Sequence, residues 1–351
     1  MSFFDALFRK EENSESVILV DISADSVAGA YVRYVGSEPP KILYAEQMSI
    51  EARVTNEAHE RAMLRALAEL GNDLIRKGAP ALARFTGSGT ASRILVSIDE
   101  PWQETHVRTE HFEQDEPFIF TRELVEAKLA ETDRTPSEKI LADTSIIGTT
   151  LNGYETSNPY GKSAHRAAII VLTSLIERHL ADDISSTLGG LFHTRNIFPI
   201  AGSSLRYQTM RALFPHERDA LIVDATGKTL TSISLFRKGM FVTMTRVAVP
   251  SDNDAWVAAI MEEFGTLSKH YPLPRTIFLL AREQEVAELR ERFDAAKFSL
   301  WLGDGPPKIV SVQRSLIGAS VRQLAENIPD TILLLMTLFY RNQREASGEG
   351  A

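Results

Sequence analysis

The sequence predicts an α/β fold of two similar lobes, with a small unit inserted into the first. Three observations carry this. An apolar run closed by an aspartate, a hydroxyl-bearing turn and a further strand occur at Ser16–Val35 and again at Ala220–Phe236, with the aspartates 203 residues apart. Helical stretches at Glu57–Lys77, Ser174–Leu188 and Trp256–Lys269 alternate with the strands, as in α/β domains. Between Asp99 and Leu172 the character changes: Glu100–Pro117 is dense in acids and aromatics.

The elements follow in order. Met1–Lys10 places Phe3, Phe4, Leu7 and Phe8 on one side of a helix, followed by the polar stretch Glu11–Glu15. That is an amphipathic segment, either packed on its own domain or docked to a membrane or partner. Ser92–Ser97 reads as a buried strand, and Gly87–Thr90 before it as a flexible join. Thr121 is placed to cap a helix over Arg122–Glu131, and Glu138–Thr150 returns to β-like runs. The expected division is 1–15 amphipathic segment, 16–98 first lobe, 99–172 insert, 173–217 first lobe resumed, 218–343 second lobe and 344–351 polar tail.

Composition narrows the function. The 351 residues suffice for roughly two ordinary domains. A net charge of −9 argues against a general nucleic-acid binder, which needs a basic face. With no cysteine there is no disulfide framework, thiolate nucleophile or cysteine-held zinc. The longest apolar run, Ile332–Met336 continuing to Phe339, is far short of the ~20 residues that span a bilayer. No basic segment leads into an apolar stretch and cleavage site at the N-terminus, so a cytoplasmic location is expected.

Two strand–aspartate–turn units suggest a phosphate site between the lobes. Turn amides and hydroxyls hold phosphate oxygens, while carboxylates hold magnesium through its water shell. Asp21, Ser23, Ser26, Asp224, Thr226, Gly227 and Thr229 are the residues expected to face that cleft, with Asp21 and Asp224 toward the metal. The plainer reading is that Asp and Ser simply form turns. Gly227-Lys228-Thr229 is no P-loop: the position where the first glycine belongs is Ile222, and no helix follows. His106 and His111 have the wrong spacing for one helical face, and no Gly-x-Ser-x-Gly elbow occurs.

Taken together these residues resemble the actin-like superfamily, and within it the group of the cell-division protein FtsA and the type IV pilus assembly protein PilM. Val20–Val27 is similar to the first phosphate motif, Val223–Thr229 to the second, and Phe241–Pro250 to the strand that follows. Leu151–Tyr154 with Asn158–Lys162 is similar to the segment by which the inserted 1C (SHS2-type) subdomain rejoins the first lobe. The resemblance implies an actin-like, ribonuclease H-like fold of two lobes with an FtsA-type insert.

Departures bear on the cofactors. Members that bind ATP carry glycine where this chain has Ser23 and Thr226, and often a lysine near Ala28. Where their late Gly-Gly turn holds the adenosine, this chain reads Ala281-Arg-Glu-Gln284. A degenerate nucleotide cleft is therefore expected, with ATP and Mg as cofactors or none at all. The role implied is an FtsA-like scaffold at the cytoplasmic face of the membrane in cell division, with no catalytic residue assigned. Alternatives are a PilM-like component of pilus assembly and, in another class, an ATPase or sugar-kinase-like phosphotransferase. The expected partners are cytoplasmic domains or tails of membrane-machine proteins, with self-association through the insert, no nucleic acid, and at most peripheral membrane contact through Phe3, Phe4, Leu7 and Phe8.

Overall fold

In the computed structural model, residues 14–51, 55–132, 135–156, 158–227, 230–249, 253–282, 285–296, 306–327 and 329–347 are described. The first lobe opens with β1 (Ser14–Ile22), β2 (Ser26–Val35) and β3 (Lys41–Ser49), followed by helix α1 (Asn56–Asp73). A π-helical turn, Leu74–Gly78, joins α1 to α2 (Ala79–Thr86), after which β4 (Arg93–Ile98) enters the sheet. The insert comprises β5 (Gln103–Ile119), α3 (Arg122–Glu131), β6 (Lys139–Leu151), β7 (Tyr154–Glu155) and β8 (Ser163–Glu177). The chain then returns through α4 (Arg178–Phe192), β9 (Ile197–Ala201) and α5 (Gly202–Leu213). The second lobe holds β10 (Ala220–Ala225), β11 (Leu230–Arg237), β12 (Met240–Ala248), α6 (Asn253–Ser268), β13 (Thr276–Ala281), α7 (Val286–Ala295) and β14 (Lys308–Ser311). A short α8 (Arg314–Ile317), β15 (Arg322–Gln323) and the long α9 (Thr331–Ser347) close the chain.

The two large sheets repeat one plan. The first runs β15-β3-β2-β1-β4-β9 and the second β12-β11-β10-β13-β14. In each, three antiparallel strands are followed by two strands parallel to the central one. Within the stretch expected as second lobe, β15 pairs with β3 of the first sheet, and α9 packs on β1, β2 and α5.

Central strands are apolar throughout because both their faces are covered. On β1, Val17 and Leu19 enter a core shared by the two lobes, while Ile18, Val20 and Ile22 enter the core under α1 and α4. On β10, Ala220 and Ile222 join the shared core, and Leu221, Val223 and Ala225 pack under α6 and α7. This period of two decides where the site lies. Asp21 continues the series of Val17 and Leu19, and Asp224 that of Ala220 and Ile222, so both carboxylates lie on the interlobe face.

The apolar run Ile332–Met336 fills that shared core: Leu333, Leu334, Leu335 and Met336 are all fully buried in it. Burying each such side chain stabilises the fold by about 1.5–3 kcal/mol. Among the described residues no helix is long and apolar enough to cross a membrane.

Helix starts follow their caps. Thr55 Oγ1 accepts the Ala58 N–H at 3.3 Å, and Thr121 Oγ1 accepts that of Leu124 at 3.2 Å. The helix expected from Ser174 begins instead at Arg178. Strand β8 persists through Glu177 because Ser174 pairs with both Thr105 and Asp143, and Ile176 with Gln103 and Ile140. The insert is a four-stranded antiparallel sheet, β5-β8-β6-β7, whose core holds Phe112, Phe118, Phe120 and Val125. Trp102, just ahead of β5, belongs to the first lobe's core.

Candidate functional site

Both aspartate-bearing turns are closed on themselves. Ser23 Oγ accepts the Ser26 N–H at 3.2 Å and lies 3.0 Å from both the Ser26 carbonyl oxygen and Ser26 Oγ. Trp102 Nε1–H donates to the Ser23 carbonyl at 2.8 Å, and His59 Nε2 lies 2.7 Å from the Ala24 carbonyl. In the second turn the N–H and hydroxyl of Thr226 both donate to Asp224 Oδ1, at 3.0 and 2.6 Å, the Asx arrangement that stabilises a turn locally. Gly227 permits the tight return, since a Cβ there would sit 2.9 Å from the Leu230 carbonyl oxygen. Thr229, Lys228, Phe3, Phe4, Leu7 and Phe8 lie outside the described residues.

An arginine that no motif marks fills the space between the turns. Arg206, one turn into α5, donates to Asp99 through two nitrogens, Nη1 to Oδ1 at 2.8 Å and Nη2 to Oδ2 at 2.5 Å. Its Nε forms an ion pair with Asp224 Oδ2. Asp99 directly follows β4 of the first sheet and Asp224 sits in β10 of the second, so one guanidinium joins both lobes. The fork on Asp99 is the strong, planar kind of charge-assisted contact. Gly202, at the start of α5, makes room for it: a Cβ would come 2.0 Å from Asp99 Oδ1 and 2.4 Å from Arg206 Nη1.

Two more arginines cross the same gap. Arg282, in the segment where the resemblance places an adenosine turn, donates from Nε to the Thr226 carbonyl at 3.1 Å and lies 3.9 Å from Asp25 Oδ2. Arg246 of β12 pairs with Glu100. Helix α5 adds Tyr207, whose hydroxyl lies 3.0 Å from the Ile147 carbonyl of the insert and 2.9 Å from the Gly239 carbonyl of the second lobe.

The electrostatics are those of a buried, over-subscribed cation. Burial works against the charge on Arg206, but Asp224 and Asp99 outweigh it and hold its pKa above the ordinary value. Asp21 is only 4% exposed, and burial first, then the neighbouring Asp99, push its pKa well up, with Arg206 opposing. The Ser97 hydroxyl beside it also works against that rise. Burial also raises Asp330, against the pull of the Ile332 and Thr331 backbone N–H groups. The remaining cavity is about 70 Å³, lined by Ser23, Arg206, Asp224, Thr226, Ser232 and Arg246 among others.

Of the residues expected at the cleft, Ser23, Asp224, Thr226 and Gly227 line this cavity, and Asp21 lies within electrostatic reach of Asp99 and Arg206. Ser26 is held by Ser23 and by Gln47 Nε2, which also donates to Asp330. Sequence reasoning missed Asp99, Arg206 and Asp330. Their only trace is Ala201-Gly202, a strand-to-helix junction where glycine is needed for close approach.

Two sheets that share a five-strand order, packed on one core to which α5 and α9 both contribute, with an insert leaving after the fourth strand, make a doubled ribonuclease H-like unit. Among solved structures the chain is similar to a chain of a PilM–PilN type IV pilus biogenesis complex. The identity is 14%, the match covers 93% of this chain and 98% of that one, and the TM-score is 0.51. The fold is actin-like. Weaker similarity extends to a Bacteroides thetaiotaomicron protein with an actin-like ATPase fold and unknown function (9% identity, 94% and 98% covered, TM-score 0.46). It extends also to the cytoplasmic domain of EpsL, an inner-membrane component of the type II secretion system of Vibrio cholerae (8%, 94% and 95%, 0.37). No protein-family model and no curated protein matches the sequence. In this actin-like chain the first turn and the second lie on opposite walls of the lobe gap, with Arg206 between them.

Proposed function

We propose that this actin-like chain is a scaffold of a membrane-associated machine that works by holding a protein partner and not by turning over nucleotide. The observation that carries the reading is the state of the lobe gap. A pocket for a drug-sized ligand or cofactor runs to roughly 300–1,000 Å³, against about 70 Å³ here. Of the two carboxylates expected to reach a metal, Asp21 and Asp224, the latter already holds Arg206 and Thr226, and the Ser23 hydroxyl is engaged in its own turn. The Mg–ATP implied by the resemblance does not fit residues so arranged, and the ATPase and phosphotransferase readings lose their support with it.

The partner expected is the cytoplasmic domain or tail of a membrane-machine protein. Fold likeness to a chain of the PilM–PilN complex favours a pilus-type machine over the division role that the resemblance put first. The insert supplies exposed apolar side chains, Ile119, Leu141, Ile146 and Tyr154, for such a partner or for a second copy. The location proposed is the cytoplasmic face of the membrane. Affinity capture of the cross-linked full chain from its native cell tests this: pilus or secretion components in stoichiometric yield are expected. Recovery of division proteins alone would move the assignment to an FtsA-like role. Flotation on liposomes with and without residues 1–10 tests Phe3, Phe4, Leu7 and Phe8 as a lipid contact, and unchanged flotation of the truncated chain removes that contact.

A further inference from the structure

We propose that the end of the first lobe at which β1 begins is a docking surface for an anionic lipid bilayer. The inference rests on the reading of the chain as a scaffold at a membrane and names the surface that faces it. Four strands share this end. Ser16 of β1 lies opposite Arg33 of β2, and Val17 opposite Arg93 of β4. Ile94 of β4 lies opposite Ile197, the first residue of the edge strand β9. The chain enters β4 from the C-terminal end of α2 and β9 from that of α4, which brings Arg84, Phe85 and Arg195 to the same end.

This surface is basic in a chain whose net charge is −9. Arg84 and Arg195 are exposed and make no hydrogen bond or ion pair among the described residues. The acids at this end are already engaged: Glu15 pairs with Arg93 at 3.1 Å and with Arg344 at 3.3 Å, and Glu38 with Lys41 at 2.9 Å. Phe85 is 50% exposed at the end of α2 and Phe198 48% exposed on β9, with the Arg93 guanidinium 5.8 Å from the Phe198 ring centre. Aromatic rings settle at the headgroup level of a bilayer, and cations gain from an anionic leaflet within a Debye length of it.

The lobe meets residues 1–13, which lie outside the described residues, at this same end, through Ser14. Their sequence sets Phe3, Phe4, Leu7 and Phe8 beside only two basic residues, Arg9 and Lys10. A short hydrophobic anchor alone binds marginally, and stable attachment takes a second signal such as a basic patch. Four residues of chain lead from Ser14 back to Lys10, so an anchored segment keeps this end of the lobe within about 15 Å of the bilayer.

Flotation of the full chain on vesicles of phosphatidylglycerol mixed with phosphatidylcholine tests the surface. Binding is expected at low salt, with little on phosphatidylcholine alone. Arg84→Ser combined with Arg195→Ser is expected to lower the partition coefficient by roughly tenfold or more. The same change of charge at Arg61 and Arg65, exposed on α1, is expected to have a much smaller effect. Because the chain has no cysteine, Ser88→Cys in the loop after α2 takes a single environment-sensitive dye, whose emission is expected to shift to the blue on these vesicles. A dye on Glu57→Cys, at the start of α1 and the opposite end of the lobe, is expected to stay unshifted. An Arg84/Arg195 variant that floats like the wild type overturns the proposal, as does an unshifted dye at position 88 on a chain that floats, which would assign flotation to residues 1–10 alone. A wild type that ignores anionic vesicles also overturns it, yet leaves the scaffold reading intact, with attachment through a protein partner. Affinity capture without membrane-machine components would remove the scaffold reading instead, so the two failures are distinguishable.

Discussion

Arg206 on the helix leaving the first sheet and Asp224 on the central strand of the second form an ion pair across the lobe gap. With Asp99 held at 2.8 and 2.5 Å by the same guanidinium, this side chain connects the two halves of the repeat at the point where their aspartate turns face each other. Its removal leaves the buried Asp224 and the part-buried Asp99 without their counter-charge. Arg206→Ala is expected to cost roughly 3–5 kcal/mol in stability, the range for breaking a buried pair from one side. Chemical denaturation measures this, and a loss under about 1 kcal/mol, typical of surface pairs, would show that the gap does not depend on it.

Gly202 acts through the same contact. Alanine there would press on Asp99 Oδ1 and Arg206 Nη1, and overpacking of this kind costs about 1–3 kcal/mol. A double-mutant cycle checks the route. In an Arg206→Ala background the cost of Gly202→Ala is expected to fall, because Nη1 is gone and Asp99, no longer held by the guanidinium, is released to move away from the added methyl. Full additivity would place the strain elsewhere.

Asp21 gives the structure a pH signature. Its folded pKa is raised above the ordinary 3.8, chiefly by burial, so the folded chain holds a proton more tightly than the unfolded one. Its contribution is therefore fully favourable below the unfolded value and is lost as pH rises through the folded value. Asp21→Asn removes that loss, and its gain in melting midpoint relative to wild type is expected to be larger at about pH 8 than at about pH 4. An equal shift at both pH values would mean that Asp21 titrates as an ordinary carboxylate.

Trp102 fixes the first turn from outside. Its indole N–H reaches the Ser23 carbonyl at 2.8 Å, and its ring meets that of His59 edge-on at 4.9 Å. Trp102→Phe keeps a large apolar ring but removes the donor, leaving a part-buried carbonyl without it. A loss of about 1–3 kcal/mol is expected, accompanied by faster amide exchange at Ser23–Ser26. Unchanged exchange there would assign the tryptophan to core packing alone.

How far the sequence reached is visible in these residues. The repeated strand–aspartate–turn grammar was legible because a strand buried on both faces must be apolar until it ends, and both aspartates mark that end on the same face. The Arg122–Glu131 helix was legible from its threonine cap. Arg206 was not, since it lies 107 residues from Asp99 in the chain and nothing in its own helix distinguishes it from a surface arginine. The helix expected at Ser174 started late for a related reason: Leu175, Ile176, Leu180, Ile184 and Leu188 fit a helical stripe, while the pairing that keeps Ser174–Glu177 extended comes from β5 and β6, distant in sequence. Asp330 became part of the site only through α9, which follows the second lobe yet packs on the first.

The central claim is that the lobe gap is closed by protein charges and takes no nucleotide. Calorimetric titration of the full chain with Mg–ATP tests it most directly. No binding heat is expected up to millimolar nucleotide, in the wild type and in Asp224→Ala alike. Micromolar binding by the wild type that disappears in Asp21→Ala or Asp224→Ala would contradict the account and return the chain to the nucleotide-binding members of its fold.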